Sequence, residues 1–74
     1  MAKPNIWVVT HGDRWAVRRE GTDDPLGVHD TQEMAITAAR SVAKAEEVEL
    51  VIQGADGEIR EKASYGNDPR NTPG

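Results

Sequence analysis

Two short pairs of residues in the sequence combine an imidazole with a carboxylate: His11 with Asp13, and His29 with Asp30. These groups are common ligands of divalent metals, and the two pairs would form one site if the turn holding the first approached the second. Neither pair has a further ligand at a spacing typical of metal motifs. Turns and helix caps also favour short polar residues at such positions. We therefore expect no metal ion and no other cofactor.

The sequence also contains the residue types of a hydrolytic triad, for which Ser64, His29 and Asp68 can be chosen. A reactive serine is usually marked by its setting, such as a G-x-S-x-G turn between a strand and a helix, and Ser64 has no such setting. Residues 54–57 (GADG) are too short for a phosphate-binding loop, and a strand is predicted after them where such a loop needs a helix. We expect a turn there, and a protein that is not an enzyme.

The elements that would position these residues begin with a predicted β-hairpin. Residues 5–10 (NIWVVT) are rich in β-branched and aromatic residues, and residues 14–20 (RWAVRRE) alternate between polar and apolar types. The HGD between them contains a glycine that can adopt a positive φ. The number of residues in this loop decides which side chains share a face of the sheet.

The loop length determines where the two tryptophans lie. A two-residue loop would place Trp7 and Trp15 on opposite faces, whereas a three-residue loop would place both on one face with Val9 and Val17. We prefer the three-residue loop because it gives one uniformly apolar face and buries both tryptophans. The other face would then carry Ile6, Val8, Thr10, Arg14, Ala16, Arg18 and Glu20.

A helix is predicted to begin at Asp30 or Thr31 and to have its buried part end near Glu46. Its first turn offers a side-chain cap, and its apolar residues recur at helical spacing and are mostly alanine. Small side chains allow a helix to lie close to a sheet, where large rings from the sheet can fill the remaining space.

The remaining elements complete an α+β fold. Residues 21–28 (GTDDPLGV) are predicted to form a loop, and strands are predicted over 48–53 and over the EIREK that follows the GADG turn. The order is β-β-α-β-β, with one helix packed on a small antiparallel sheet of two hairpins. We expect a single domain over 1–64 and a flexible C-terminal tail over 65–74.

Composition and charge limit the classes of function. The chain has no cysteine, so its 74 residues must fold without a disulfide, which fits a reducing compartment and predicts a cytoplasmic protein. The apolar run near the N-terminus is too short for a signal peptide or a membrane span. The net charge is −4, with a basic excess in residues 1–20 and an acidic excess in residues 21–34. Because binding to nucleic acid depends largely on lysine and arginine, this balance makes nucleic acid an unlikely partner.

Several segments together resemble a known family. These are WVV-x-H-G-D-x-W-A-V, then H-D-T-Q-E-M-A, then ELVIQGADGEI and finally SYGNDP. In this order they are similar to the short, mainly bacterial proteins grouped as domain of unknown function twenty-one eighty-eight, over roughly Ile6 to Pro69. The resemblance implies no reaction, ligand or catalytic residue. Members tend to have a histidine where this chain has Gln53, so a site built on that histidine is absent here.

The expected function is that of a small non-enzymatic interaction module, which binds an unknown protein partner or forms a weak homodimer. The alternative is a nucleic-acid-associated accessory protein that uses a sheet face bearing Arg14 and Arg18, with Lys62 or Arg60. An exposed tryptophan beside Arg18 would favour the alternative. The SYGNDP segment either covers the fold or recognises a partner, and the covering role is favoured for its tyrosine. The candidate interaction residues are Ile6, Val8, Arg14, Arg18, Tyr65, Asn67 and Asp68.

Overall fold

The computed structural model describes residues 4–22 and 24–65. Its elements are β1 (Ile6–His11), β2 (Arg14–Arg19), β3 (Pro25–His29), α1 (Gln32–Glu46), β4 (Glu49–Gln53) and β5 (Ile59–Ser64). The strands form one five-stranded sheet in the order β3-β2-β1-β4-β5, and α1 packs on one of its faces. Neighbouring strands are antiparallel except β1 and β4, which are parallel. The predicted α+β class, with one helix packed on a sheet, is confirmed, but the sheet is mixed and not wholly antiparallel as predicted.

The strand β3 lies in a segment that the sequence predicts to be a loop. It pairs with β2 through Ala16 opposite Val28 and Val17 opposite Gly27, and the register shifts next to Arg18. That irregularity accommodates Pro25, which lacks a backbone donor but is tolerated at the first residue of an edge strand. The turn-forming residues of this segment therefore mark a short, irregular edge strand, and the expectation of a loop is wrong there.

The hairpin between β1 and β2 has a two-residue loop, so the three-residue loop is the wrong choice. Thr10 is paired with Trp15 and Trp7 with Arg18. Gly12 has φ +64, and it occupies the first central position of the turn, where a type II′ hairpin needs a positive φ. The loop is one residue shorter than predicted, so every side chain of β1 lies on the face opposite to the predicted one.

The core lies between α1 and one face of the sheet. Ile6 and Val8 are 0% exposed in this core, together with Val17, Leu50 and Ile52 from the neighbouring strands. Ile6 and Val8 thus cannot form the exposed patch that the sequence predicts. Trp15 packs against the same core, as predicted, whereas Trp7 points to the opposite side of the sheet. The expectation that both tryptophans lie beneath the helix is correct for Trp15 only.

Alanines form the buried stripe of α1. Ala35, Ala39 and Ala43 recur every four residues and are 0% exposed, which places the helix backbone close to the sheet. Thr31 caps the first turn, because its Oγ1 accepts a hydrogen bond from the Met34 N–H at 3.1 Å. After the last helical residue, Glu47 adopts the left-handed conformation with φ 59, and its N–H reaches the carbonyls of the last turn.

An ion pair joins the end of β2 to the end of α1. Arg19 donates to both carboxylate oxygens of Glu46. The hydrogen bond to Glu46, followed by the attraction of its charge, raises the pKa of Arg19, and desolvation opposes this rise. Because the folded state favours charged Arg19, this contribution to stability is present below the ordinary arginine pKa and is lost only as the pH rises through the raised value. The pair also offsets the unfavourable position of a carboxylate at a helix C-terminus.

The helix α1 has 15 residues, and no helix in the described ranges is both long and apolar enough to cross a membrane.

Candidate interaction surface

The face of the sheet opposite α1 is not covered by any other described element, and we call it the open face. The register places its side chains in two neighbouring rows that cross the strands. The first row contains Val28, Ala16 and Val9, and the second contains Arg18, Trp7, Val51 and Lys62. The open face therefore has an apolar middle with a cation at either end of the second row.

The apolar middle of the open face is already partly packed. Ala16 and Val51 are each only 2% exposed, although neither lies beneath the helix. Val51 lies between Trp7 and Lys62 in the register, so these longer neighbours shield it. Trp7 itself is half-buried. Small or short residues thus form the floor of this surface, and the indole stands above it.

A hydrogen-bond network fixes the position of the Trp7 ring. Its indole Nε1 donates to Glu20 Oε1 at 3.2 Å, and the same oxygen accepts from Asn5 Nδ2 at 3.2 Å. The Asn5 side-chain oxygen in turn accepts from the Glu49 N–H at 3.1 Å. The ends of β1, β2 and β4 are tied together by these contacts, and a carboxylate lies at the polar edge of the indole.

The open face carries charges of both signs. Arg18 Nη1 donates to the Thr22 carbonyl at 2.8 Å, which holds the guanidinium near the end of β2. Arg14 lies on this face opposite His11 and pairs with Asp30, with Nε at 3.4 Å from Oδ1, although both side chains are largely exposed. A pair exposed in this way contributes little to stability. Glu20 and Glu49 place carboxylates among these basic residues.

A shallow cleft of about 320 Å³ opens beside the first row of the open face. Its floor includes Ala16 and Val9, and its walls include His11 and Arg18. The remaining lining residues are Thr10, Pro25 and Gln53. The lining of the cleft is more polar than apolar, so the cleft adds polar groups beside the apolar middle of the open face.

The structure places some of the candidate interaction residues on the open face and others in the core. Arg14 and Arg18 lie on the open face as expected, because the faces of β2 are those predicted. Ile6 and Val8 are buried on the other side. Trp7 and Val9 lie on the open face instead, and the sequence analysis predicts neither of them there. The Gly12-Asp13 dipeptide is the signal that could have identified them, because glycine followed by another residue is typical of a two-residue type II′ turn.

Tyr65 has a structural role in the described part of the chain. Its N–H donates to the Val48 carbonyl at 3.2 Å, and its ring packs against the core with Lys44 Nζ 5.7 Å from the ring centre. The ring of Tyr65 therefore covers the fold near the end of α1, which is the role that the sequence favours for it. Asn67 and Asp68 lie outside the described residues, so their candidate role in recognition stays a prediction.

The comparisons with other proteins agree with the resemblance seen in the sequence. Residues 6–65 match a family model described as "Uncharacterized protein conserved in bacteria (DUF2188)". The chain belongs to this family. It is similar to the uncharacterized protein YdaT of Bacillus subtilis (strain 168), with 32% identity over 60 residues, which are 81% of this chain and 40% of YdaT. The chain thus spans less than half the length of this relative. No solved structure matches the chain.

The residues with possible chemistry are dispersed in this member of the DUF2188 family. His29 is on β3 and Ser64 on β5, at opposite edges of the sheet, and these two strands are about 19 Å apart at ~4.8 Å per strand spacing. Among residues 4–22 and 24–65 there is no group of three or more histidines and carboxylates able to hold a metal ion. The GADG stretch forms the predicted turn, since the Gly57 N–H donates to the Gly54 carbonyl at 2.9 Å. Arg60 folds over that turn and pairs with Asp56 at 2.9 Å.

Proposed function

We propose that this chain is a non-enzymatic interaction module that associates weakly with a second copy of itself through the open face. The carrying observation is the apolar middle of a sheet face that no described element covers, where Trp7 and Val9 are partly exposed and Val28 is exposed. A sheet normally buries at least one face, and several adjacent apolar residues on a second face are typical of an interface. We also propose a cytoplasmic location, since a fold that packs without a disulfide suits a reducing compartment.

The dimensions of the open face support a weak association. Five strands at ~4.8 Å and five to six residues at ~3.3 Å give a face of about 400 Å² for each copy. A stable interface usually buries about 800 Å² on each partner. Since the open face offers roughly half of that area, the dimer should be weak, and it should form and dissociate readily.

The charges on the open face support contact between two copies. Arg18 and Lys62 lie on the same surface as Glu20 and Glu49, so each copy presents both signs. Two copies related by a twofold axis can therefore place basic residues of one against acidic residues of the other. Such complementary contacts at the rim favour association without a large desolvation cost.

The experiment is sedimentation equilibrium of the parent and of Val9→Glu over a wide range of concentration. Val9 lies in the first row of the open face and is not part of the core, so a glutamate there should leave the fold intact. We expect the parent to show a monomer–dimer equilibrium and Val9→Glu to stay monomeric, since the new carboxylate would be desolvated in the interface.

The matched control is Ser41→Glu, which makes the same change of charge at an exposed position of α1. It should dimerise as the parent does. A parent that stays monomeric at the highest concentration would remove the proposal. Equal weakening by Val9→Glu and Ser41→Glu would show that net charge, and not the open face, controls association.

Binding of single-stranded nucleic acid is a second candidate function, and one observation favours it. Trp7 is half-exposed directly opposite Arg18, with Lys62 in the same row, and aromatic residues beside cations on a sheet are typical of surfaces on which bases stack. Glu20, at the edge of the indole, and the net charge of −4 oppose phosphate binding. We therefore rank this function below self-association.

For this second candidate we expect no measurable binding of a single-stranded or duplex oligonucleotide at physiological salt. Fluorescence anisotropy of a labelled oligonucleotide, at low and at physiological salt, would measure it. The variants Arg18→Glu and Lys62→Glu are tested side by side. Lys62→Glu is included because Arg18→Glu also removes the hydrogen bond from Arg18 to the Thr22 carbonyl. Salt-dependent binding that both variants abolish would place nucleic-acid binding above self-association.

A further inference from the structure

The two edges of the sheet differ in how they are protected from pairing with another strand. The edge strand β5 carries Arg60, Glu61 and Lys62 in succession, and charged side chains on an edge discourage such pairing. The other edge strand, β3, has the sequence PLGVH and contains no residue with a permanent charge. Pro25, at its first position, and the register irregularity next to Arg18 oppose pairing at the start of β3. The less protected edge of the sheet is therefore β3, in its second half.

The backbone of the hairpin determines which groups face the β3 edge. Hydrogen-bonded and non-hydrogen-bonded pairs alternate along antiparallel strands, and the Glu20 N–H donates to the Asn5 carbonyl at 2.8 Å. Asn5 and Glu20 are therefore a hydrogen-bonded pair. Every second pair along the register is of the same kind, so Ala16 is hydrogen-bonded to Val9. The N–H and C=O of Ala16 thus point towards β1.

The neighbours of Ala16 point the opposite way, towards β3. Trp15 is paired with His29 and Val17 with Gly27, so these pairs make the hydrogen bonds between β2 and β3. Val28 lies between His29 and Gly27, and its N–H and C=O consequently point away from the sheet. An added strand would find one backbone donor and one backbone acceptor at Val28, a residue that is 38% exposed.

Apolar side chains lie on both sides of the β3 edge. Leu26 and Val28 on the strand are 43% and 38% exposed, and Met34 on the first turn of α1 is 53% exposed. A shallow, mainly apolar cleft of about 440 Å³ runs along this part of α1, lined by His29, Glu33, Met34, Thr37 and Ala38. A strand added at β3 would place alternate side chains towards this cleft and towards the open face.

The charges around the β3 edge indicate the kind of strand that fits. Asp24, Asp30 and Glu33 are exposed at its two ends, and Arg14 is the basic residue that contacts this group, through Asp30. A second copy would bring a second acidic set to the same edge, at a cost in repulsion. A segment with basic residues at its ends would instead be attracted.

We propose that the β3 edge binds an extended segment of a partner protein as a sixth strand. The segment has apolar residues at alternate positions and lysine or arginine at its ends. Its backbone pairs with Val28, its apolar side chains enter the cleft at Met34, and its basic ends meet Asp24 and Asp30. This is strand addition, in which the backbone supplies affinity and the alternate side chains supply specificity.

The test uses a peptide of alternating valine and threonine with two lysines at each end, titrated into the isotope-labelled full chain. We expect saturable chemical-shift changes centred on residues 25–30, which weaken as salt is added. A matched peptide with glutamates in place of the lysines should bind at least about tenfold more weakly, since the acidic ends of the edge would repel it.

Two variants with the same change of charge locate the site. Val28→Lys places a charge on the open edge of β3 and should weaken peptide binding at least about tenfold. Ser64→Lys, on the opposite edge, should change it by less than about twofold. Glu33→Lys reverses a charge beside the cleft and should weaken binding several-fold. The spectrum of each free variant shows whether it has folded.

Several outcomes would overturn this proposal. They are chemical-shift changes centred on β5 or the open face, a glutamate peptide that binds as tightly as the lysine peptide, and no saturable binding at millimolar concentrations of the lysine peptide. A parent dimer that Val28→Lys dissociates and Val9→Glu does not would assign the β3 edge to a second copy. Because Val9→Glu should leave peptide binding unchanged, this test and that of self-association through the open face can fail separately.

Discussion

A glutamate at Val8 will abolish cooperative unfolding of this protein, whereas a glutamate one residue later, at Val9, will leave it folded. Val8 is 0% exposed in the core beneath α1. An unpaired carboxylate there costs several kcal/mol in desolvation, which is comparable to the ~3–5 kcal/mol that a core of this size supplies. Val9 faces the open side of the sheet, where a glutamate reaches water. Thermal unfolding followed by circular dichroism measures both variants.

This pair of variants also tests the register of the hairpin. A three-residue loop would exchange the faces of the two valines, so Val9→Glu would unfold the protein and Val8→Glu would not. Similar behaviour of the two variants would contradict both registers, because each places the two valines on opposite faces. A two-residue loop with Gly12 at φ +64 predicts loss of folding for Val8→Glu alone.

The sequence predicts the elements of the hairpin well, but the faces of β1 less well. Alternation identifies both strands, and it assigns Trp15 and Val17 to the helix side correctly. The strand β1, by contrast, is apolar at every position from Ile6 to Val9, so its pattern does not distinguish a buried face from an open one. Preferring one wholly apolar face placed Trp7 in the core. The protein instead buries its smooth aliphatic residues beneath the helix and leaves the indole on the open face.

The strand β3 was missed because its local signals are those of a loop. Glycine, proline and aspartate dominate residues 21–27. Without β3, however, the outer side of β2 would leave the N–H and C=O groups of Trp15 and Val17 without strand partners. Tertiary pairing satisfies these groups and overrides local propensity. The same weak propensity leaves β3 short and irregular, and its lack of charge makes it the edge that can accept another strand.

The sequence predicts only part of the candidate site, because the face on which each side chain lies depends on the register of the hairpin. Arg14 and Arg18 belong to β2. Either loop length places them on the face opposite Trp15, so the sequence predicts their face correctly. Ile6 and Val8 belong to β1 and were placed on the wrong side. The helix and the strand at Leu50 and Ile52 were predicted correctly, because helical spacing and an apolar strand after a helix give strong signals.

Replacing Trp15 with alanine should destabilise the protein about twice as much as replacing Trp7. Trp15 packs against the core beneath α1, so its loss leaves a cavity between helix and sheet. Tryptophan-to-alanine changes in cores cost about 3–5 kcal/mol, and a half-buried ring should lie near 3 kcal/mol. Trp7→Ala opens a space that water can enter, so it should cost about 1–2 kcal/mol, chiefly by exposing Val51. Chemical unfolding followed by circular dichroism gives both values.

The fluorescence of the single-tryptophan variants Trp7→Phe and Trp15→Phe tests the same assignment without relying on stability. The indole that remains in Trp15→Phe is Trp7, which should be quenched readily by acrylamide, and more weakly at concentrations where the open face associates. The indole that remains in Trp7→Phe is Trp15, which should be quenched less and should not respond to concentration, since it packs against the core. A concentration response of Trp15 equal to that of Trp7 would contradict association through the open face alone. A response of Trp15 alone would move the contact between copies from the open face to the end of the sheet near His29, its partner on β3.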